Sequence, residues 1–310
     1  WAGVAAETFQ SFTPSSHNFL TQDGRTPAGI ATIAKQQVDQ YSTVKRIDGE
    51  VICAIKSKND FIVSLALGET YRASKLIFAT GIVDIFPDIH GFDECWGKSV
   101  LHCPYCHGYE VKGEPTGILG NGDYAFEFGC LISNWTDDLT IYTNGLSTLT
   151  ADQTQKLQSH NIKIVQDRIA LLQHTGGYVE KVFFRNGATA NVKALYAKPA
   201  FRQHSLIPGS PGCEIGNDGY IQIDSGHRTT VPGVYACGDN VSRMRTVSNA
   251  IAMGTATAIT VNKDLILESF QWLKSQTIIN VKGCAAGCHL RRRDPAEILF
   301  YRFTLPLNRK

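Results

Sequence analysis

The stretch "GILGNGDYAFEFG", residues 117–129, most narrows what this chain can become. A short apolar run meets Gly120-x-Gly122-x-x-Ala125 and passes into an amphipathic helix, "DYAFEFGCLISNW", after which "LTIYTNG" reads as a second strand. A strand–helix–strand unit needs parallel pairing of its two strands, so the chain is committed to an α/β sheet. The glycines let the backbone turn tightly and approach a pyrophosphate, whose charge free N–H groups and the helix dipole stabilise. The other reading is that they serve the turn alone.

The rest of the chain is consistent with such a sheet. Upstream, "FIVSLAL" (61–67), broken at Gly68, reads as an antiparallel strand, and "KLIFATG" as a buried strand entering a tight turn at Gly81. Downstream follow a helix "ADQTQKLQSH", a strand "IKIVQ" and a hairpin "VFFRNGATANVKALYA" whose Asn186-Gly187 supplies a left-handed turn. Then come the strands "GYIQID" and "GVYACGDN" and a largely buried helix, "TVSNAIAMGTATAITVNKDLI". With 310 residues the chain can hold two domains, or one domain interrupted by another, each with its own core.

Several function classes drop out on composition. At 43% apolar and 19% charged residues the chain reads as globular, and no apolar run reaches the roughly 18–20 residues of a membrane span. A formal charge of +2 is too small and scattered for a nucleic-acid partner, and Arg291-Arg292-Arg293 reads as a solvated tail. Nine cysteines, an odd number in a chain of this length, do not form the framework of a small secreted protein, so a reducing cytoplasm is expected.

The segment "LHCPYCHGYE" (101–110) carries the chemistry. Cys103-x-x-Cys106-His107 matches a haem attachment string, although neither an export signal nor a small helical fold accompanies it. It could also be half of a zinc site, completed by Cys284, Cys288 and His289 if the tail folded back. A redox dithiol needs only the two cysteines: Pro104 restrains the loop and His107 can trade the proton as a thiolate forms. The single cysteines Cys53, Cys95, Cys130, Cys213 and Cys237 lie among apolar residues and read as small core side chains. Gly238-Asp239 ends a strand with a carboxylate that needs donors there, which a ribityl hydroxyl could supply, or that caps the next helix. Tyr142-Thr143-Asn144 ends the second strand of the glycine unit with neither the arginine of an NADP site nor the acid of an NAD site.

Taken in order, "IFATG", "HCPYCHG", "GILGNGDYAFE" and "TTVPGVYACGDN…RTVSNAIAMG" resemble the low-molecular-weight thioredoxin reductase family. More closely, they are similar to its CPYCHG branch, which includes relatives of fungal dithiol oxidases. The resemblance runs from about Phe12 to Phe270. It implies two Rossmann-like nucleotide-binding domains, the second inserted in the first: an FAD domain at 12–112 and 200–268, a pyridine-nucleotide-binding domain at 113–199 with the cysteine pair at its start, and an unassigned tail at 269–310. The match begins after the family's first glycine loop, so the FAD domain is expected to be incomplete at its N-terminus.

By this resemblance Cys106 faces the flavin and Cys103 attacks the substrate disulfide. Thr80, Gly81, Gly238, Asp239, Arg245, Thr246 and Val247 fall on flavin-contacting positions, and Asn18 beside the ring. Gly120, Gly122 and Ala125 fall on the nucleotide loop. His107 stands where the family usually has an acid, and Thr143-Asn144 where typical members have an arginine pair that grips the NADPH phosphate. FAD is thus the expected cofactor, with NADPH and NADH both open. The implied partner is a thioredoxin-like protein or a small-molecule dithiol or disulfide, and the implied assembly a homodimer. The alternatives are a dithiol oxidase using oxygen and a non-catalytic remnant with impaired FAD binding. No metal site is expected.

Overall fold

A computed structural model describes residues 13–58, 60–279 and 300–302; the expectations for Cys284, Cys288, His289 and Arg291-Arg292-Arg293 lie outside the described residues. The chain forms two compact units, one built from Ala31–Ile82 and the residues from Gln203 onward, the other from Val83–Arg202 and the segment ending at Ile30.

Helix α1 (Pro27–Val38) and strand β1 (Arg46–Asp48) lead into an antiparallel meander of β2 (Val51–Ser57), β3 (Asp60–Leu65) and β4 (Thr70–Ala73). Alternation in the sequence becomes alternation in burial: Phe61, Val63 and Leu65 of β3 face the core. Strand β5 (Leu76–Phe78) follows, and β6 (Ile82–Ile85) carries the chain into the second unit.

There α2 (Phe92–Cys95), β7 (Val100–Leu101) and α3 (Pro104–His107) precede β8 (Thr116–Leu119), α4 (Gly122–Ile132), β9 (Leu139–Tyr142), α5 (Ala151–Ser159) and β10 (Lys163–Val165). An antiparallel trio comes next, β11 (Ile169–Thr175), β12 (Tyr178–Phe184) and β13 (Thr189–Asn191), and then β14 (Ala194–Ala197). The sheet order is β10-β9-β8-β14-β7 with every pair parallel, as the strand–helix–strand reading requires. Strands buried on both faces read as continuous apolar runs, and all four residues of β14 are buried. Helix α5 starts on a capping box, the Thr150 side chain accepting from Gln153 N–H while the Gln153 side chain accepts from Thr150 N–H. Gly129 of α4 lies so close to α5 that an added Cβ would meet Leu157 at 2.7 Å.

Strand β15 (Ala200–Gln203) pairs with β6, so the two crossings between the units lie side by side. In the first unit β16 (Val234–Ala236) pairs in parallel with β5, α6 (Val247–Ile279) follows, and β17 (Phe300–Arg302) pairs with β1. The segment "GYIQID" makes isolated bridges, Ile221 to Ile215 and Ile223 to Thr229, in place of the expected ladder.

The chain leaves the first unit at Ile82 and returns at Gln203, whereas the family resemblance implied 112 and 199. The reason is local: β7 joins the edge of the parallel sheet beside β14, and Ile89, Phe92 and Trp96 pack into the second unit's core. The cysteine pair therefore lies in the inserted unit.

Candidate active site

Strand β7 delivers the pair. Its two residues are buried at the sheet edge, and after His102 the chain turns into α3, with extended Cys103 at the N-cap and Pro104 in the first turn, where a missing N–H costs nothing. Gly108 closes this single turn by donating its N–H to Pro104 C=O at 2.7 Å. It is glycine for want of room: a Cβ there would stand 2.8 Å from Trp135 Nε1.

One helical turn brings the two sulfurs to 2.9 Å, the Cys106 thiol donating to Cys103. That hydrogen bond splits their acidities. It is the largest influence lowering Cys103 to about 7, helped by the backbone N–H groups of Cys106 and Tyr105 and opposed by burial. The same bond holds the proton on Cys106, whose titration is pushed far up, with burial and the charges of Cys103 and Glu110 adding to it. At pH 7 Cys103 is thus about half ionised while Cys106 keeps its proton. Beside it, burial pushes His107 below its ordinary value, against the pull of Glu110.

Cys106 borders a cleft of about 350 Å³ whose other walls are His17, Asn18, Asp23, Tyr105, Tyr109 and Glu110. The His17 imidazole lies between two carboxylates, Nδ1 at 3.3 Å from Asp23 and Nε2 at 3.2 Å from Glu110, with its ring edge-on to His107 at 6.2 Å. Asn18 adopts a left-handed conformation (φ 58°), and its N–H donates to Asp23 Oδ1 at 3.0 Å.

The nucleotide loop joins β8 to α4 as expected, Gly122 having φ 56° and Ala125 being fully buried. Asn121, a spacer in the motif, caps the helix: its Oδ1 accepts from Gly122 N–H at 2.9 Å and Thr148 N–H at 2.8 Å, and its Nδ2 donates to Leu146 C=O at 2.8 Å. At the end of β9, Thr143 Oγ1 donates to Gly145 C=O and Asn144 Oδ1 accepts from Ile169 N–H, so both polar side chains serve the protein's own backbone.

In the first unit the carboxyl ends of β5 and β16 carry Thr80 and Gly81, and Gly238 and Asp239. Asn240, just past β16, ties its own strand to the end of β5, donating to Phe78 C=O at 2.9 Å and to Thr80 Oγ1 at 3.3 Å. Arg245 is buried, and Thr246 caps α6 by accepting from Asn249 N–H, with Val247 the first helical residue.

A family model described as "Pyridine nucleotide-disulphide oxidoreductase" matches residues 4–254. The chain belongs to that family. Members use FAD and a pyridine nucleotide, and this member is a thioredoxin reductase-like, FAD-dependent disulfide oxidoreductase. It is 29% identical to "Thioredoxin reductase tcpT" of Claviceps purpurea (strain 20.1) over 75% of this chain and 76% of that protein. With "Thioredoxin reductase aclD" of Aspergillus oryzae the identity is 27% over 85% and 88%. Among solved structures, HlmI superposes with a TM-score of 0.82 at 30% identity, covering 89% of this chain and 87% of that one. An oxidoreductase from Agrobacterium tumefaciens gives 0.79 at 30%, covering 85% and 88%.

The strand ends of the oxidoreductase's first unit fit a flavin nucleotide. Asn240 is wholly buried, yet its Oδ1 has no partner among the described residues. Gly238 (φ 87°) has open space where a Cβ would stand, so a ligand can approach the backbone there. The pyridine-nucleotide loop has the expected turn, but Gly122 N–H, a donor for a pyrophosphate, is already taken by Asn121.

The residues anticipated from sequence divide between the units. Cys103, Cys106, His107, Asn18, Gly120, Gly122 and Ala125 lie in the second, Thr80, Gly81, Gly238, Asp239, Arg245, Thr246 and Val247 in the first. Sequence reasoning missed His17, Asp23, Glu110, Asn121 and Asn240. "SHNFLTQDG" is a polar loop with no periodicity, so nothing in it pairs His17 with a carboxylate beyond the second cysteine. Among the described residues no cluster of His, Cys, Asp and Glu could hold a metal, and no helix is long and apolar enough to cross a membrane.

Proposed function

We propose that Cys103 and Cys106 form the exchange centre of this oxidoreductase, passing two electrons between a bound flavin and an external disulfide or dithiol. The observation that carries the reading is the sulfur pair itself, 2.9 Å apart with opposite acidities. In the reducing direction the Cys103 thiolate attacks one sulfur of the external disulfide, forming a mixed disulfide and expelling the other sulfur as a thiolate that takes a proton. Cys106 then loses its proton and attacks Cys103 Sγ, which breaks the mixed disulfide, frees the second external thiol and leaves Cys103–Cys106 oxidised. Oxidation of an external dithiol runs through the same bonds in reverse.

FAD, when bound, supplies the couple that restores the pair. Thr80, Gly81, Gly238, Asp239, Arg245, Thr246 and Val247 would hold it, with Asn18 beside its ring. His107, kept neutral by burial, and the His17–Glu110 contact stand ready to accept and return the proton. The partner is a thioredoxin-like protein or a small-molecule dithiol or disulfide. The assembly is a homodimer, supported by the exposed Ile251, Ile259, Ile266 and Phe270 along α6 and checked by sedimentation.

In flavin-loaded protein Cys106→Ser should cut thiol–disulfide turnover by about 100-fold or more, and unchanged turnover refutes the assignment. A second reading, oxidation of a dithiol by oxygen to give a disulfide and hydrogen peroxide, is favoured by Asn121 filling the nucleotide loop and by the absence of a basic side chain at Thr143-Asn144. Anaerobic mixing separates the two: bleaching of the flavin by NADPH or NADH supports the reductase, and bleaching by a dithiol alone the oxidase.

A further inference from the structure

We propose that the Tyr196 hydroxyl is a positioning donor for the dithiol, held for the Cys103 sulfur in states where Cys106 has no proton to give. The inference rests on Cys103 being the exchanging thiol.

Tyr196 lies on β14, between β8 and β7, in register with Leu101, which precedes the Cys103 turn. It packs among Leu101, Ile118 and Ala194 and is entirely buried, yet its hydroxyl has no hydrogen-bond partner among the described residues. A buried hydroxyl without a partner is unfavourable, and phenylalanine would fill the same volume without that penalty. Such a group makes sense where another state of the site uses it.

Its surroundings identify that state. Beyond burial, the charges that act on the phenol are those of Cys103, Glu110 and Cys106, and each disfavours the phenolate, so the oxygen keeps its proton and can only donate to an anion among them. In the arrangement described here Cys106 satisfies Cys103, and the Tyr196 proton goes unused. Once the Cys106 sulfur is deprotonated or bonded elsewhere, the Cys103 thiolate loses its strongest stabiliser. Tyr196 is the buried donor on the sheet side, while His17, Asp23, Tyr105, Tyr109 and Glu110 line the cleft beside Cys106 and the buried His107 ring stands edge-on to His17.

The test removes the Cys106 donor and then the Tyr196 hydroxyl. In the full chain, alkylation of Cys103 by iodoacetamide is followed against pH, with mass-spectrometric mapping of the Cys103 peptide, in Cys106→Ala and in Cys106→Ala/Tyr196→Phe. The second variant should titrate about one pH unit higher, about a tenfold loss of thiolate near neutrality. The control is Cys106→Ala/Tyr124→Phe. Tyr124 also has a buried, unpartnered hydroxyl, but only burial acts on its titration, so its removal should leave the curve in place. Superimposable curves for the first two variants, or an equal shift with Tyr124→Phe, overturn the proposal. Turnover that survives Cys103→Ser, with the Tyr196 shift intact, would instead sink the exchange assignment and leave this contact standing.

Discussion

Replacing Cys106 with alanine should move the acidity of Cys103 and leave a signature that simple loss of reactivity cannot imitate. Folding lowers this thiol from 9.0 to about 7, and the largest cause is the hydrogen bond from Cys106. Without it, burial still opposes the thiolate, and only the two backbone N–H groups and the proposed Tyr196 donor favour it, so the titration returns to roughly 8.5–9, near an ordinary thiol. At pH 7 the thiolate fraction then falls from about one half to roughly 2%. A more basic thiolate is a better nucleophile, with a Brønsted slope of about 0.45, so each remaining anion reacts about sixfold faster. The net alkylation rate at pH 7 should drop about four- to fivefold, and above about pH 8 the variant should overtake the wild type. The assay is the pH dependence of Cys103-specific alkylation by iodoacetamide. Curves with the same inflection, or a variant slower at every pH, would refute the claim that Cys106 sets the acidity of its neighbour.

Two further outcomes follow from single contacts. Gly108→Ala drives a methyl group against the Trp135 indole and the Pro104 carbonyl and should cost about 1–3 kcal/mol, read as a lower melting temperature; an unchanged melting curve means the close approach is not real. Asn121→Gly removes the side chain that occupies the Gly122 N–H and ties it to Leu146 and Thr148, and it should tighten NADH or NADPH binding by about tenfold. Binding that is unchanged or weaker in an equilibrium titration would show that Asn121 is no obstacle to the nucleotide.

Much of the architecture was legible because it rests on period and punctuation. The run before Gly120, the helix after it and the strand ending at Tyr142 appear as β8, α4 and β9, since a parallel crossover leaves little freedom once its glycine turn is in place. That the paired cysteines meet could be read from their spacing, because one helical turn suffices to join them. The unit boundary could not: β7 has two residues, too few for a periodicity, and only its pairing with β14 draws the residues before 113 into the second unit. Asn121 was passed over for a related reason, as a spacer carries no signal that its amide reaches the loop after β9. His17 is harder still, its carboxylate partners being fixed by tertiary contacts alone.

Glu110 shows why the missing pieces matter more than their number suggests. Its charge disfavours ionisation of Cys106 and of Tyr196 and favours a proton on His107, so three groups around the dithiol are biased toward their protonated forms by one carboxylate. Cys103, at the extended N-cap position, is the exception: the influences acting on it are the Cys106 bond, two backbone N–H groups and burial. A single negative charge is thereby confined to one sulfur, that of half-buried Cys103, while the more buried Cys106 keeps its proton. Two identical side chains acquire different jobs through this arrangement, and the spacing Cys-x-x-Cys specifies only that they meet. Which of them carries the charge is decided by the turn of α3, by Glu110 and by the donors around the pair.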